Sequence, residues 1–492
     1  MVNLGAFVKK LQNIMRSDAG INGDAQRIEQ MVWILFLKIY DVKEDEWELL
    51  YPHYQSIIPV RLRWKNWAND NKDGKALTGQ ALLDFVNNEL FPRLKTLPVS
   101  VHTEQKQIIV RDVFTDCNNY MKDGILLRQV INEIDDLDIA EYKDRHAFNE
   151  IYESILKSLQ SAGNAGEFYT PRAVTDFMVQ MVDPKLGETI GDLACGTGGF
   201  LTSSLNQLWD QVKTVPDRDQ YVRSVYGMEL KPLPYLLCIT NLLLHNIDSP
   251  LIFHGDSLDR DIRSFSKDEK FDIILMNPPY GGAVTPGAKT NFPVEYQSSE
   301  TVDLFMALAI YRLKRNGRAA IITPDGFLFG TDGTKTAIKK RLLEEFNLHT
   351  IIRLPGSVFS PYTSITTNIL FFDNATKTDQ VWYYRVDMPE GFKHFSKTKP
   401  MELKHFDGAI AWWKMREEIQ DEETQTFKAR SFTVKDLEEL GYNLDQCGYP
   451  SAEEEILSPE ETIRQFHEKR DALNAKIDKQ LAEIERLLGL KA

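Results

Sequence analysis

The residues best suited to chemistry are Asn277-Pro-Pro-Tyr280, which directly follow the run Phe271–Met276. That run is apolar except for Asp272, which is typical of a central parallel strand. The two prolines lack backbone N–H groups and have a fixed φ, so the loop after the strand is rigid. It offers a side-chain amide, free carbonyls and an aromatic ring. This set favours a planar ligand bearing an NH₂ group, whose hydrogens Asn277 Oδ1 and the Pro278 carbonyl accept while Tyr280 stacks. A purely structural proline-rich turn is the alternative.

A second segment predicts a ligand-binding turn. It reads Ile190-Gly-Asp-Leu-Ala-Cys-Gly-Thr-Gly-Gly-Phe200, which predicts a strand ending at Asp192 and a helix starting near Phe200. Glycines let the backbone approach a ligand closely and open the helix N-terminus towards it. The segment does not match the dinucleotide fingerprint, because Leu201 stands where that motif requires its third glycine. Taken alone, the turn is also compatible with a structural role.

Two more predicted strands end in acidic residues. Glu229 ends one of them, where a carboxylate can bond both hydroxyls of a ribose. Asp256 ends the next, where it could accept a hydrogen bond from an adenine amino group. Carboxyl ends of parallel strands meet at one edge of a sheet, so both acids are expected beside Asp192. Any one of these acids, considered singly, would more often be a solvated loop residue. Upstream, Thr170 and Pro171 predict the N-cap and first residue of a helix.

The elements that must position these residues change along the chain. Helix-spaced apolar residues predict a helical N-terminal domain over 1–158. After it, apolar runs alternate with amphipathic helices, which predicts a doubly wound α/β domain over 159–450. The predicted strands are 188–193, 224–228, 250–254, 271–276, 318–323, 350–354 and 368–373.

The C-terminal segment, 451–492, predicts one long helix that docks a partner subunit. Ser458, Pro459 and Glu461 form a helix start with a capping residue, an N1 proline and an N3 acid. A heptad follows through Ile463, Phe466, Arg470, Leu473, Ile477, Gln480, Ile484 and Leu487. Most of these positions are apolar, which favours a coiled-coil seam for a partner helix. Docking of this helix on its own domain is the alternative.

In this order the motifs resemble those of an S-adenosylmethionine-dependent N6-adenine DNA methyltransferase. More closely, the chain resembles the modification (M) subunit of type I restriction-modification systems over nearly its whole length. The segments Glu-Phe-Tyr-Thr-Pro-Arg at 167–172 and Asp-Leu-Ala-Cys-Gly-Thr-Gly-Gly-Phe-Leu at 192–201 are highly specific to this family, whereas Asn-Pro-Pro-Tyr is shared more widely. The resemblance implies a Rossmann-like methyltransferase sheet. One departure is Leu193, where many relatives have proline; Asp192 and the glycines remain.

The resemblance also implies roles for individual residues. S-adenosylmethionine would contact Glu167, Phe168, Tyr169, Thr170, Pro171, Arg172, Asp192, Cys195, Gly196, Thr197, Gly198, Gly199, Glu229, Asp256 and Ser257. Among these, Glu229 would hold its ribose and Asp256 its adenine. The implied catalytic residues are Asn277, Pro278, Pro279 and Tyr280, which would receive an adenine flipped out of the duplex. Phe359 is the candidate for a second aromatic against that base, although a buried core phenylalanine is equally compatible.

Two other classes of protein are open at this point. A protein methyltransferase acting on a glutamine amide would present the same loop, but such enzymes are usually smaller and lack the helical N-terminal domain and the heptad tail. A non-catalytic assembly protein that kept the fold would not need Asn277, Tyr280, Glu229 and Asp256 intact.

What is missing from the sequence indicates partners. There is no Gly-x₄-Gly-Lys-[Ser/Thr] loop and no nuclease signature, so translocation and cleavage are not expected of this chain. Only about 75 residues lie between Asp373 and Pro450, too few for a specific DNA interface of about 1,000–2,500 Å². Sequence recognition is therefore expected in a separate specificity (S) subunit. The expected partners are double-stranded DNA, the S subunit, a second copy of the chain and a restriction (R) subunit; no metal is expected.

The charge composition limits how this chain can bind DNA. With 58 Lys and Arg against 72 Asp and Glu, its net charge is −14, which argues against binding of DNA by bulk charge alone. A partner that supplies affinity is compatible with this balance. Candidates for a basic groove are Lys335, Lys339, Lys340 and Arg341, with a solvated helix face as the alternative. Four cysteines indicate a reducing compartment, and no apolar run approaches about 18 residues. A cytoplasmic prokaryotic protein without a membrane span is expected.

Overall fold

The computed structural model describes residues 4–69, 76–100, 102–137, 152–156, 169–281, 284–360, 362–396, 399–420 and 426–448, together with scattered positions between 463 and 481. These residues form two compact units, one within 1–420 and 427–448 and the other within 421–426 and 449–492. None of the helices described here has both the length and the apolar composition needed to cross a bilayer.

The N-terminal part of the first unit is helical. Its α-helices are α1 Leu4–Arg16, α2 Asp24–Leu50, α3 Trp64–Trp67, α4 Gly79–Phe85, α5 Phe91–Lys95, α6 Gln105–Thr115 and α7 Gly124–Asp135. A 3₁₀ turn spans Val60–Leu62, and the π-helical Val86–Leu90 joins α4 to α5. The long helix α2 has buried apolar side chains around most of its circumference, such as Trp33, Phe36 and Trp47. A helix with this pattern lies inside a bundle rather than on its surface.

The rest of the first unit is organised around one ten-stranded sheet. The strands are β1 Ile190–Asp192, β2 Val225–Glu229, β3 Leu251–His254, β4 Phe271–Met276, β5 Leu313–Pro324, β6 Asn347–Arg353, β7 Thr367–Asp373, β8 Gln380–Arg385, β9 Ile419–Gln420 and β10 Phe427–Thr433. Their order is β3-β2-β1-β4-β5-β7-β6-β8-β10-β9. The five neighbouring strands β3, β2, β1, β4 and β5 are parallel to one another. Strand β7 runs antiparallel to both β5 and β6. Further along, β6 and β8 are parallel, and β10 is antiparallel to β8 and β9.

Helices cover both faces of this sheet. They are α8 Arg172–Val182, α9 Gly199–Trp209, α10 Val215–Val222, α11 Pro232–Leu244, α12 Pro286–Thr290, α13 Thr301–Arg312, α14 Asp325–Phe329, α15 Gly333–Glu344, α16 Asp407–Lys414 and α17 Val434–Glu439. The 3₁₀ turns are Ile262–Ser264, Lys267–Glu269, Val294–Tyr296 and Leu403–Phe406. Along β4, Ile273 and Leu275 belong to one hydrophobic core, while Ile274 and Met276 belong to a second one. Because side chains alternate along a strand, β4 is buried on both faces.

The predicted α/β class is confirmed, and each of the seven predicted strands overlaps an observed one. The sequence prediction missed β8, β9 and β10, which extend the sheet through residues 380–433. Strand β10 has only one fully buried residue, Ala429, and β9 has just two residues, so neither has the apolar run of a central strand. The described segment after Asp373 therefore adds three strands to the sheet, together with the helices α16 and α17.

The helical N-terminal part packs directly on the sheet part. Helix α2 lies against α11, and Lys43 Nζ donates to Asn246 Oδ1 at 2.8 Å and pairs with Asp248 at 3.3 Å. Tyr152 donates its hydroxyl to the Leu237 carbonyl at 2.5 Å. The domain boundaries 1–158, 159–450 and 451–492 stay predictions.

In the second unit, the described positions between 463 and 481 are helical. Three positions of the predicted heptad seam, Ile463, Phe466 and Ile477, are exposed by 58%, 63% and 47%. The predicted helix start at Ser458–Glu461 and the seam residues Leu473, Ile484 and Leu487 lie outside the described residues.

Candidate active site

A cavity of about 410 Å³ opens at the carboxyl edge of β1, β2, β3 and β4. This volume falls within the range of small-molecule sites, roughly 300–1,000 Å³. The predicted site residues that line it are Thr170, Asp192, Cys195, Gly196, Thr197, Gly199, Glu229, Asp256, Ser257, Asn277, Pro278, Pro279, Tyr280 and Phe359. The structure thus brings together, in one cavity, motifs that lie far apart in the chain, because parallel strands end at a common edge.

Other predicted residues lie near the cavity without lining it. These are Tyr169, Pro171, Arg172 and Gly198, while Glu167 and Phe168 lie outside the described residues. The Arg172 guanidinium is ion-paired with Glu153 and donates to the Gly199 carbonyl at 3.0 Å and to Thr202 Oγ1 at 2.7 Å. Arg172 therefore holds the first turn of α9 in place through Gly199 and Thr202.

Gly198 has a positive φ of 78° as the N-cap of α9. A Cβ at this position would lie 2.8 Å from Cys238 Sγ, which is closer than two such atoms approach. Both the left-handed backbone and the close packing therefore require glycine here. Gly198 thus shapes the turn, and its predicted contact with a ligand stays a prediction.

The start of α8 differs from the prediction. Pro171, and not Thr170, is the N-cap, and its carbonyl accepts from the Val174 and Thr175 amides at 2.9 and 3.2 Å. The Thr170 hydroxyl instead accepts a hydrogen bond from Asn277 Nδ2 at 3.1 Å. Thr170 is thus used to hold the loop after β4 rather than to cap a helix.

Glu229 is held at the end of β2 by backbone donors. Its Oε2 accepts from the Gly196 amide at 2.9 Å and its Oε1 from the Lys231 amide at 2.7 Å. The side chain lies almost entirely out of water, and this burial raises the pKa of its carboxyl group. Each carboxylate oxygen has about two acceptor sites, so Glu229 can still accept one further hydrogen bond per oxygen from a ligand in the cavity.

The other two acids have distinct surroundings. Burial raises the pKa of Asp192 well above its usual range, and the nearby Glu229 charge adds to this effect. Asp192 Oδ1 accepts from the Ala194 amide at 3.2 Å. Asp256 Oδ1 accepts from the Leu258 amide at 2.9 Å, and the Ser257 hydroxyl donates to the Leu193 carbonyl at 2.6 Å. These bonds fix the turn after β3 against the turn after β1.

The loop after β4 forms the other end of the cavity. Asn277 Oδ1 accepts from the Tyr280 hydroxyl, while Asn277 Nδ2 donates to Thr170. Burial raises the pKa of Tyr280 well above its ordinary value, and Tyr362 nearby adds to this. Tyr280 is therefore a neutral phenol at physiological pH.

Charge is distributed unevenly along the cavity. The described lining residues with ionisable side chains of the Asp, Glu and Lys types are Asp192, Glu229, Lys231 and Asp256, all at or just after the ends of β1, β2 and β3. The described residues that line the end at Asn277 are neutral. The first end is thus suited to hydroxyl and amino groups of a polar ligand, and the second to a planar, uncharged ring.

Two aromatic residues from the loop between β6 and β7 face the Asn277 end. Phe359 lines the cavity and is only 7% exposed, so it is both a wall residue and a core residue. Tyr362 also lines the cavity, and the sequence prediction missed it. Tyr362 could have been found from its position in the sequence, three residues after Phe359 in the same loop.

Sequence reasoning also missed two residues of α13. Thr301 and Phe305 both line the cavity, and their spacing of four residues places them on the same helix face. The Thr301 hydroxyl donates to the Pro279 carbonyl at 2.7 Å and to the Gly281 carbonyl at 3.2 Å.

The prediction of a basic groove on α15 is wrong for Lys335 and Lys339. Lys335 is buried and contacts Glu300, Asp303 and Asp332, each at 3.1 Å. Lys339 is fully buried, donates to two backbone carbonyls, and has its pKa lowered by burial to about 8. Neither amine can reach a phosphate group.

The remaining two basic residues of α15 are also paired. Arg341 contacts Glu345 at 3.0 Å, and the exposed Lys340 lies 3.6 Å from Glu344. Both retain some exposed surface, but nothing in these contacts distinguishes them from an ordinary solvated helix face.

Family models match almost the whole chain. The model described as the HsdM N-terminal domain matches residues 4–134, and the one described as N-6 DNA Methylase matches residues 143–456. The methylase subunit of the type I restriction enzyme EcoEI from Escherichia coli is 48% identical over 467 residues, covering 94% of both chains. The methylase subunit of the type I restriction enzyme StySPI from Salmonella potsdam is 30% identical and covers 77% of this chain and 70% of its own.

Solved structures give the same result for the fold. A modification subunit assigned to a type I restriction enzyme from Vibrio vulnificus YJ016 superposes with a TM-score of 0.76 at 40% identity, covering 88% of this chain and 92% of that one. A chain from a structure on complex assembly and conformational transition of the type I restriction-modification system superposes with a TM-score of 0.80 at 32% identity, covering 100% and 99%.

Proposed function

Because this chain belongs to the methylase (modification) subunits of type I restriction-modification systems, we propose that its cavity transfers a methyl group to the N6 amino group of an adenine flipped out of DNA. The proposed methyl donor is S-adenosylmethionine. The observation that carries the proposal is that one cavity joins the acidic turns after β1, β2 and β3 to the Asn277-Pro-Pro-Tyr280 loop.

The charged end of the cavity fits this donor. Glu229 is fixed by two backbone amides, and each of its oxygens can accept one more bond, which is the arrangement that two neighbouring ribose hydroxyls require. Gly198, which packs closely on Cys238, shapes the turn that would lie against the donor. Asp256 would accept from the adenine amino group of the donor. When bound, S-adenosylmethionine supplies a methyl group attached to a positively charged sulfur.

The neutral end fits the base. The Asn277 side chain is held between Thr170 and Tyr280, and its Oδ1 has a second acceptor site for an amino hydrogen. The Pro278 carbonyl would accept the other hydrogen. These two bonds would shift the nitrogen towards a tetrahedral geometry and direct its lone pair at the methyl group. The proton leaves only after the nitrogen has become cationic, so a strong general base is not needed.

Aromatic side chains would replace the stacking that the flipped base loses. Base–aromatic stacking is worth roughly 1–3 kcal/mol per base. Tyr280 is proposed to stack on one face of the base and Phe359 to pack against another side. The remaining acceleration would come from holding the amino nitrogen in line with the methyl–sulfur bond.

We expect a separate specificity subunit to select the DNA sequence. The described chain after Asp373 forms three strands of the central sheet and two α-helices, and the net charge of −14 does not favour tight DNA binding by this chain alone. The exposed apolar positions Ile463, Phe466 and Ile477 would dock a helix of that partner. A second copy of the chain and a restriction subunit complete the proposed assembly, which would act on DNA in the prokaryotic cytoplasm.

Deletion of residues 456–492 tests the proposed docking. The shortened chain should still bind S-adenosylmethionine but no longer co-purify with the specificity subunit. Normal co-purification would contradict this part of the proposal.

A tritiated-methyl transfer assay tests the activity itself. The chain, purified with its specificity subunit, is incubated with labelled S-adenosylmethionine and either DNA or a protein extract. We expect label on DNA only. Label on protein would indicate a glutamine methyltransferase, and no transfer to either would indicate an assembly protein.

A further inference from the structure

The Asn277-Pro-Pro-Tyr280 loop has few backbone bonds of its own. Both prolines lack an N–H group, and among the described residues no backbone–backbone hydrogen bond outside the sheet involves 277–281. A proline ring fixes φ but leaves ψ free. The ψ angle of Pro279 sets the direction in which Tyr280 leaves the loop, so something else must fix it.

The side chain of Thr301 restrains this backbone, while the Tyr280 hydroxyl is held separately by Asn277 Oδ1. The Thr301 hydroxyl donates to the Pro279 carbonyl at 2.7 Å and to the Gly281 carbonyl at 3.2 Å. These two carbonyls flank Tyr280 on either side. The hydroxyl has a single proton, so the two carbonyls share it in a three-centre bond, in which the contact with Pro279 is the shorter. At the other end of the loop, the Thr170 hydroxyl holds the Asn277 amide at 3.1 Å.

Thr301 is itself rigidly placed. It is the first residue of α13, and the residues beside it are tied down by the buried amine of Lys335. That amine lies 3.1 Å from both Glu300 and Asp303, and Ser298 also donates to Asp303 at 2.6 Å. The hydroxyl therefore projects from a fixed support, and the buried ion cluster on α15 acts on the loop rather than on DNA.

We propose that Thr301 is a positioning residue for methyl transfer, which holds the Pro279 and Gly281 carbonyls and thereby fixes Tyr280, between them, where the target base must lie. This inference rests on the proposed function. Thr301 itself need not contact the base or the methyl donor. Its hydroxyl restricts the ψ angle of Pro279, and the direction in which Tyr280 leaves the loop follows from that restriction.

Three variants separate this role from mere packing. Thr301→Val keeps the shape of the side chain but removes the donor, whereas Thr301→Ser keeps the donor. Thr334→Val is the matched control, because the Thr334 hydroxyl also donates to a carbonyl, that of Gln297 at 3.4 Å, close to a helix start but away from the cavity. All three are made in the full chain purified with its specificity subunit.

Two measurements are made on each variant. Hydrogen–deuterium exchange of the peptide containing Tyr280 and Gly281 should be faster in Thr301→Val and unchanged in Thr301→Ser and Thr334→Val. The kcat for methyl transfer to DNA should fall about 10²-fold in Thr301→Val, the size expected for a misplacement of about 1 Å. The affinity for S-adenosylmethionine should not change, and the serine variant should restore kcat.

The inference would be overturned by wild-type exchange or wild-type kcat in Thr301→Val, or by a serine variant as impaired as the valine variant. Failure of the proposed function gives a different pattern. In that case the wild-type chain itself transfers no methyl group to DNA, while the exchange of the Tyr280 peptide still depends on the Thr301 hydroxyl.

Discussion

The two ends of the cavity are built in opposite ways. The Glu229 end is formed by acids at three strand ends, whose carboxylates are held by backbone amides. The Asn277 end is formed by one loop without backbone bonds of its own among the described residues, held by threonine hydroxyls and lined by neutral side chains. Charged acceptors favour tight binding of polar groups, whereas oriented neutral acceptors favour a fixed orientation of the bound group. Binding of the donor and transfer of the methyl group should therefore be separable by mutation.

The largest effect is expected at the neutral end. Asn277→Ala removes the acceptor for the amino group, and loss of one such oriented group costs about 10²–10³ in kcat. The affinity for S-adenosylmethionine should stay at the wild-type value, because Glu229 and Asp256 are unaffected. Single-turnover transfer of labelled methyl to DNA and calorimetric titration with the donor measure the two quantities. A fully active alanine variant would show that the Asn277 end does not orient the base.

At the charged end, Glu229→Ala should show the reverse pattern. A hydrogen bond to a charged group contributes about 1.5–3 kcal/mol, so the affinity for S-adenosylmethionine should fall roughly 10- to 150-fold. At a saturating donor concentration kcat should be largely retained. Titration calorimetry followed by kinetics at several donor concentrations would detect this. If the affinity for S-adenosylmethionine is preserved and only kcat falls, the Glu229 end serves methyl transfer rather than binding of the donor.

Tyr280 sharpens the description of the neutral end. Tyr280→Ala loses stacking worth roughly 1–3 kcal/mol. We expect kcat/KM for DNA to fall by the factor that corresponds to this energy. Tyr280→Phe is the matched control, because it keeps the ring and removes only the hydroxyl that bonds Asn277 Oδ1. It should be much closer to wild type than the alanine variant. Equal losses in both variants would assign the role to the hydroxyl instead of the ring.

The smallest effect is a pH dependence of donor binding. Burial raises the pKa of Glu229 above its ordinary value of 4.5, so its carboxylate becomes protonated at a higher pH than an exposed glutamate. As the pH falls through this raised pKa, acceptor capacity and negative charge are lost, and the affinity for S-adenosylmethionine should decrease. Glu229→Gln should show weaker binding with less dependence on pH. An equally steep dependence in that variant would assign the titration to another group.

The two ends also differ in how far the sequence predicts them. The acids Asp192, Glu229 and Asp256 were predicted to lie together because each ends a parallel strand, and the structure places all three around one cavity. The rule needs only local patterns and the order of the strands. The α/β class and the strands of the parallel half follow from the same patterns.

Two residues that reach the site from other elements were not predicted. Thr301 and Tyr362 come from a helix and a loop whose distance from the cavity depends on tertiary packing. Lys335 and Lys339 have the sequence pattern of a solvated basic face, but the packing of α15 buries their amines. A charge pattern alone does not reveal a buried partner such as Asp303.

The central claim is that the cavity methylates the exocyclic nitrogen of adenine, and product analysis tests it most directly. DNA treated with the purified complex and deuterated-methyl S-adenosylmethionine is digested to nucleosides and analysed by mass spectrometry. We predict the label in N6-methyldeoxyadenosine for the wild-type complex and its loss in the Asn277→Ala complex. Label in a methylated cytosine, or the same amount of methyladenine from both complexes, would contradict the account.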